Sequence, residues 1–143
     1  MLSRLKTNGV AVIWGGNYFS DYLPPRMRFL VWDKMAGDFS MASCELAWTN
    51  QHKAARIFHY SRGEALQDYK CHPTQKPLAL MEWCWRVVGT PRSVLDPFMG
   101  SGTMGVVCKR NGVRFIGIER EQRYLDIAIR RIESVNVQEQ MQL

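Results

Sequence analysis

The amino-acid sequence predicts an α/β fold with a largely parallel sheet, and three observations carry that expectation. Beyond residue 77, short apolar runs alternate with helical periodicities at lengths that suit strand, helix, strand, helix connections. Before it, short β-branched and aromatic runs are separated by Gly and Pro breakers, as buried strands are. Within the second region, Leu95 to Thr103 carries two glycines where a strand gives way to a helix. A chain of 143 residues with 46% hydrophobic content can bury one core, so a single domain over residues 1–143 is expected.

Taken in order, Leu2 to Lys6 reads as the tail of a helix closed by Asn8-Gly9, and Val10 to Trp14 as a buried strand running into the turn Gly15-Gly16-Asn17. Leu23-Pro24-Pro25 breaks regular structure. Arg28 to Trp32 then forms a second strand and Ala55 to Tyr60 a third. From Ser61 to Cys71 the sequence is polar with Gly63 as a breaker, which predicts a loop. Pro77 suits the first turn of a helix reaching about Val88, with Leu78, Met81, Trp85 and Val88 on one face. Ser93-Val94-Leu95 is the next strand, Ser101 to Arg110 a helix ended by Asn111-Gly112, and Phe115 to Ile118 a further strand. The last helix runs from Glu121 to about Glu133, with Leu125, Ala128, Ile129 and Ile132 at core spacing; Ser134 to Leu143 is polar and expected to fray.

Composition narrows the function classes. The longest apolar runs, Gly9 to Trp14 and Phe29 to Trp32, are far too short to span a bilayer, and the N-terminus lacks a signal core, so a soluble, cytoplasmic protein with no membrane partner is expected. Cys44, Cys71, Cys84 and Cys108 stand apart, without a C-x-x-C pair or a histidine pattern that would close a zinc site, so no metal is expected and the thiols read as ordinary reduced cysteines. A net charge of +6 with a pI near 9.4 favours a polyanionic partner without naming it, because the basic excess is spread over both halves.

The stretch Asp96-Pro97-Phe98-Met99-Gly100-Ser101-Gly102-Thr103 is the most informative. Gly100 and Gly102 permit a tight turn and a close approach of ligand to backbone, with free amides at the helix start facing it. Glu119, at the end of the next strand, is placed to accept hydrogen bonds from two ribose hydroxyls, which points to a ribose-bearing cofactor. Two cofactor classes compete. Gly100 to Gly105 satisfies the G-x-G-x-x-G spacing of a nicotinamide or flavin site. Against it, Asp96-Pro97-Phe98 intervenes between strand and glycines, and an acid there repels pyrophosphate but could hold the amino group of a methionine moiety, as in S-adenosylmethionine. A phosphate-binding P-loop is excluded, since no Gly-Lys-Ser/Thr follows.

His72-Pro73-Thr74-Gln75-Lys76-Pro77, then Asp96 to Thr103, then Phe115-Ile116-Gly117-Ile118-Glu119, closely resembles the C-terminal half of the S-adenosylmethionine-dependent DNA amino-methyltransferases, in the permuted order that places the cofactor half last. Ile13 to Phe19, Val31 to Lys34 and Cys44 to Trp48 resemble strands and loops of the catalytic half in phage-associated adenine methyltransferases, so nearly the whole chain is covered. The resemblance implies a Rossmann-like methyltransferase sheet, mostly parallel with helices on both faces. It implies that Thr74, Gln75 and Lys76, together with Asp96, Phe98, Gly100, Ser101, Gly102 and Thr103, hold the methionine end of S-adenosylmethionine, Glu119 the ribose, and Tyr124 the adenine pocket. Beside these stand plainer roles: Thr74 as a helix cap, Lys76 as a solvated charge, Tyr124 as packing. Residues 1–62 correspond to a remnant of the catalytic half, 63–71 to a short recognition loop, 72–134 to the cofactor-binding half and 135–143 to a frayed tail.

The departure from that family's pattern is equally specific. Members carry an Asp-Pro-Pro-Tyr or similar motif at the end of a strand, and this sequence contains none; Asp21-Tyr22-Leu23-Pro24-Pro25 has the letters in the wrong order. No catalytic residue is therefore assigned, and the sheet is expected to lack its central catalytic strand. The resemblance implies DNA as partner, with an exocyclic amino group of a flipped base as acceptor, adenine-N6 favoured. Little or no transfer is expected from this chain alone, and a complementing chain or a homodimer would cover an unpaired central edge. No Pro-Cys nucleophile for carbon methylation is present. Trp14 and Tyr18 could touch DNA, although most such aromatics are core. The alternatives are a non-catalytic cofactor- or DNA-binding subunit of a split methyltransferase, in a prokaryotic or phage-encoded setting, and a dinucleotide-dependent oxidoreductase.

Overall fold

A computed structural model of the chain describes residues 9–36, 42–67 and 75–135. The predicted helix tail at Leu2 to Lys6, Thr74, and the tail beyond Val135 lie outside the described residues. The chain divides into two units, Met1–Glu64 and Ala65–Leu143.

The first unit is a four-stranded sheet of β1 (Val12–Trp14), β2 (Phe29–Asp33), β3 (Cys44–Thr49) and β4 (Arg56–His59), in the order β1-β3-β2-β4. The central strand β3 runs antiparallel to both neighbours, setting Trp48 opposite Ile13 and Ala47 opposite Leu30, whereas β4 lies parallel to β2. Leu30 and Ala47 are fully buried and Trp32 and Trp48 nearly so, which makes this pairing the centre of the unit's core. Two indoles of the sheet find acceptors: Trp32 Nε1 donates to the Tyr60 carbonyl at 2.8 Å and Trp48 Nε1 to the Pro24 carbonyl at 3.0 Å, whereas the buried Trp14 Nε1 meets none among the described residues. Gly16, which opens a 3-10 turn over Gly16–Phe19, admits no side chain, because a Cβ there would stand 2.5 Å from that of Trp48. The buried Arg28 donates from Nε to the Ala54 carbonyl at 3.1 Å and from Nη1 to Gln51 Oε1 at 2.9 Å, which offsets the loss of hydration around the guanidinium. Tyr18 is 81% exposed, so the expectation that such aromatics are core fails for it, and Tyr22 is 86% exposed.

Helix α1 (Arg62–Gln67) occupies part of the segment predicted to be a loop. Its start is a reciprocal cap. The Glu64 amide donates to Ser61 Oγ at 3.2 Å and the Ser61 amide donates to Glu64 Oε2 at 2.8 Å. Ser-x-x-Glu is the sequence signature of this arrangement, and two satisfied amides outweigh the helix-breaking tendency of Gly63.

The second unit alternates α2 (Leu78–Val88), β5 (Ser93–Asp96), α3 (Thr103–Arg110), β6 (Arg114–Gly117) and α4 (Gln122–Glu133), with β5 and β6 paired in parallel. Pro77 precedes the first helical residue rather than occupying it. Trp85, Val107 and Cys108 form a buried cluster against which Leu78, Met81, Val94, Met104, Val113 and Phe115 pack, so Leu78, Met81 and Trp85 of the predicted face of α2 meet the core, while Leu80 and Cys84, outside that face, are buried as well. Burial pushes the Cys84 thiol up to about 12 and the Cys108 thiol up to about 11, leaving both protonated and unreactive. Asn111-Gly112 ends α3 as expected, with Gly112 at φ 63°. Because side chains alternate across a strand, Val94 and Phe115 enter the core while Leu95 and its partner Ile116 face the other way, 59% and 65% exposed, beside Ile118 at 54%. In α4 only Ala128 is fully enclosed. Ile129, predicted to be core, is 43% exposed, since its position on the wheel turns away from α3 and β6.

Candidate functional site

The turn after β5 is built from the strand outward. The Ile118 amide donates to the Asp96 carbonyl at 2.9 Å and the Met99 amide to the Ile118 carbonyl at 3.1 Å, which carries the β5–β6 pairing past the ends of both strands. Met99 is buried with its sulfur against Gly117, where a side chain would collide with it. The Phe98 amide donates to Asp96 Oδ1 at 3.1 Å, fixing that carboxylate at the mouth of the turn, and the Phe98 ring stands 84% exposed. Gly100 at φ 53° and Gly102 at φ 77° take the left-handed conformation that side-chain-bearing residues avoid, and the Gly102 amide closes the turn onto the Met99 carbonyl at 2.8 Å. Helix α3 begins at Thr103 rather than at Ser101, because these glycines occupy the would-be first turn.

Glu119 meets this turn directly. Its Oε2 accepts from the Gly100 amide at 3.0 Å and its Oε1 from the Glu121 amide at 2.9 Å. Gly100 and Glu119 therefore share one site. The amides expected to stand free toward a ligand are engaged within the protein: Gly100 with Glu119, Gly102 with Met99. Burial raises Asp96 above the ordinary carboxylate range; the bond from Phe98 opposes this, and the nearby negative charge of Glu119 adds to it. Two carboxylates brought together at neighbouring strand ends make a place that favours a cation over an anion.

The hydroxyls predicted to face a cofactor turn inward instead. Ser101 and Thr103 are 2% and 6% exposed. Ser101 Oγ donates to Gln75 Oε1 at 2.9 Å, tying the residue before Lys76 to the turn, and Arg131 Nη1 of α4 donates to the Ser101 carbonyl at 2.6 Å. Lys76 is half-buried. Tyr124 lies in the first turn of α4, its hydroxyl accepting from Arg123 Nη2 at 2.7 Å and its ring covered by the same guanidinium. Sequence reasoning missed Arg131, because adjacent arginines near a helix end read as solvated charges.

In the first unit the parallel strands β2 and β4 end on Asp33 and His59, joined at 2.9 Å from Nδ1 to Oδ2. Asp33 is held below its ordinary range by the Met35 amide and then by His59. Lys34 pairs with Glu45 at 2.7 Å. Among the described residues, no group of three or more His, Cys, Asp or Glu side chains gathers in a way that could hold a metal ion, and no helix is long and apolar enough to cross a membrane.

A strand, a doubly left-handed glycine turn and a helix, with an acid at the end of the adjoining parallel strand, define a half-sheet of Rossmann-like type. The family follows from comparison. Residues 5–130 match the N6/N4 methyltransferase family, described as DNA methylase, and the chain belongs to that family. It is similar to the type II methyltransferase M2.DpnII of Streptococcus pneumoniae, 52% identical over 69 residues that make up 46% of this chain and 25% of that protein. It is also similar to the type II methyltransferase M.HinfI of Haemophilus influenzae, 46% identical over 67 residues, 46% of this chain and 19% of that one. The matched parts thus span a quarter or less of these curated relatives. Among solved structures, the M1.HpyAVI–SAM complex aligns over 89% of this chain and 76% of its own, at 30% identity and a TM-score of 0.65. The cytosine-N4-specific PvuII DNA methyltransferase shares the fold over 95% of this chain and 68% of its own, at 17% identity and a TM-score of 0.69.

Proposed function

We propose that this chain holds S-adenosylmethionine at the ends of β5 and β6 and is the cofactor-binding part of a DNA amino-methyltransferase acting on an exocyclic amino group, adenine-N6 favoured, of a flipped base. The observation that carries this reading is the 3.0 Å bond from the Gly100 amide to Glu119, with the half-buried Asp96 carboxylate beside it. The donor set fits the ligand. Glu119 is a carboxylate of the kind that accepts from ribose hydroxyls, Asp96 offers an acceptor to an ammonium, and the charge of the pair suits a sulfonium nucleoside. When bound, S-adenosylmethionine would supply an activated methyl group. The residues of this chain would bind and orient it: Glu119 and Asp96 by charge and hydrogen bonding, Phe98 by its exposed ring, and Thr74, Gln75 and Lys76, of which Gln75 is tied to Ser101. DNA is the partner this reading requires, and the cytoplasm its setting. Residues 1–62 would be a remnant of the catalytic half, 63–71 a short recognition loop and 72–134 the cofactor-binding half.

Calorimetry with S-adenosylmethionine and, separately, NAD tests the assignment. Wild type is expected to bind only the former, and Glu119→Ala to weaken it about 10- to 100-fold, as loss of hydrogen bonds to a charged group does. Preference for NAD, or a Glu119→Ala affinity equal to wild type, refutes it.

A second reading is favoured by two observations. The 143 residues contain no Asp-Pro-Pro-Tyr motif, and Leu95, Ile116 and Ile118 leave one sheet face apolar and open. On that reading the chain works as one subunit with a complementing chain or a second copy, and transfers no methyl group by itself. A methylation assay on DNA with the purified chain decides: turnover by the chain alone removes the second reading.

A further inference from the structure

Arg131 lies near the end of α4 beside Arg130, where basic residues ordinarily offset the helix dipole and extend into water. Arg130 is exposed and fits that role; Arg131 does not. Its Nη1 donates to the Ser101 carbonyl at 2.6 Å, to Ser101 Oγ at 2.9 Å and to Thr103 Oγ1 at 3.4 Å. The first is a short bond from a charged donor, the stronger kind. Ser101 stands between the two left-handed glycines, Gly100 and Gly102, neither of which has a side chain to hold its own conformation. Apart from the Gly102–Met99 bond that closes it, the turn is held from outside. From the segment after β6 it is fixed by Glu119 on the Gly100 amide, and from α4 by Arg131 on the Ser101 carbonyl. Helix α4 is seated closely enough to do so, since a Cβ on Gly102 would stand 2.8 Å from that of Ala128.

We propose that Arg131 is a positioning residue for the cofactor, a latch that pins Ser101 so that the Gly100 amide meets Glu119 and the Asp96–Glu119 pair faces the ligand in one arrangement. It acts through the turn. Without it the turn samples several shapes, only a fraction of them competent, and the apparent affinity falls by that fraction. The inference rests on the reading that S-adenosylmethionine binds here.

The test uses the full chain as wild type, Arg131→Ala, Arg131→Lys and Ser101→Ala, titrated with S-adenosylmethionine by calorimetry alongside urea denaturation. Arg131→Ala is expected to bind about 10- to 100-fold more weakly while still folded, the range for losing hydrogen bonds from a charged group. Arg131→Lys should recover part of that loss, because an ammonium can still reach the carbonyl. Ser101→Ala should be milder than Arg131→Ala, because the carbonyl bond survives. Wild-type affinity in folded Arg131→Ala overturns the proposal, since a merely structural arginine would lower the denaturation midpoint alone. Should Arg131→Ala not fold, Arg131→Lys decides by the same criterion, weakened binding supporting the latch and wild-type binding overturning it. If wild type itself does not bind S-adenosylmethionine, the cofactor reading has failed instead. Hydrogen exchange at the Gly100 and Gly102 amides then judges the latch, faster exchange in the Arg131 variant supporting it and unchanged exchange overturning it.

Discussion

Substituting Gly102 by Ala separates two physical costs that the structure assigns to this position. The first is conformational: at φ 77° an L-residue with a Cβ pays for the left-handed backbone, about 1–2 kcal/mol. The second is steric, because the added methyl carbon would stand 2.8 Å from Ala128 Cβ, 3.1 Å from Ala128 Cα and 3.2 Å from Ile132 Cδ1. Overfilling of that kind costs about 1–3 kcal/mol, so Gly102→Ala should lose about 2–5 kcal/mol in all. Gly112→Ala is the control. Its φ of 63° carries the conformational cost, but nothing lies within 4 Å of its would-be Cβ, so about 1–2 kcal/mol is expected there. Urea denaturation of both variants against wild type measures the difference. Equal destabilisation would mean that α4 is not seated against the turn, and the account of Arg131 as a latch would fall with it.

Other consequences follow from single groups. Asp96 has a folded-state pKa raised above its ordinary 3.8, so the folded state holds that proton more tightly. Its contribution to stability is therefore lost as pH rises from the unfolded value through the raised one, and Asp96→Asn should stabilise the free protein at neutral pH. A bound cation favours the ionised form, so S-adenosylmethionine affinity should fall on acidification through the same window in wild type. The Asn variant should bind about 10- to 100-fold more weakly, with that part of the pH dependence gone; calorimetry across pH reads both. Leu30→Ala should cost about 2–5 kcal/mol in urea denaturation, because a fully buried side chain at the centre of the first sheet leaves a cavity. Ser61→Ala should cost about 1 kcal/mol, and because α1 is short the loss should appear as faster hydrogen exchange in Arg62–Gln67 rather than as global unfolding.

The second unit was legible because its signals are local. Pro77 before α2, Asn111-Gly112 after α3 and the alternation of Val94 and Leu95 each act within a few residues of where they stand. β3 was not announced by alternation, because Ala47, Trp48 and Thr49 are buried in succession at the centre of a mixed sheet, which erases the period of two. Its residues Cys44 to Trp48 were recognisable only through the family's pattern. The Ser-x-x-Glu cap at Ser61 is legible in the sequence, but the loop expectation rested on polar composition and Gly63 alone. The site divides the same way. Gly100, Gly102 and Glu119 could be joined from sequence because strand–turn–helix geometry is nearly fixed, whereas Arg131 is 30 residues from the carbonyl it holds, a pairing that no spacing rule anticipates.

The spacing from Gly100 to Gly105 also matches a dinucleotide site, and the hydrogen bonds show why matching letters do not make a matching site. A pyrophosphate at a glycine turn needs backbone amides that are free to donate and a surrounding field that is neutral or positive. Here the Gly100 amide is given to Glu119 at 3.0 Å and the Gly102 amide to Met99 at 2.8 Å, so two donors are withdrawn. The guanidinium that could have compensated, Arg131, is spent on Ser101 and Thr103. What the turn presents is the raised Asp96 carboxylate beside that of Glu119. A doubly negative phosphate bridge would enter against both, while a positively charged sulfonium nucleoside would relieve their mutual repulsion. The same three polar commitments that shape the turn therefore also set the sign of the ligand it accepts.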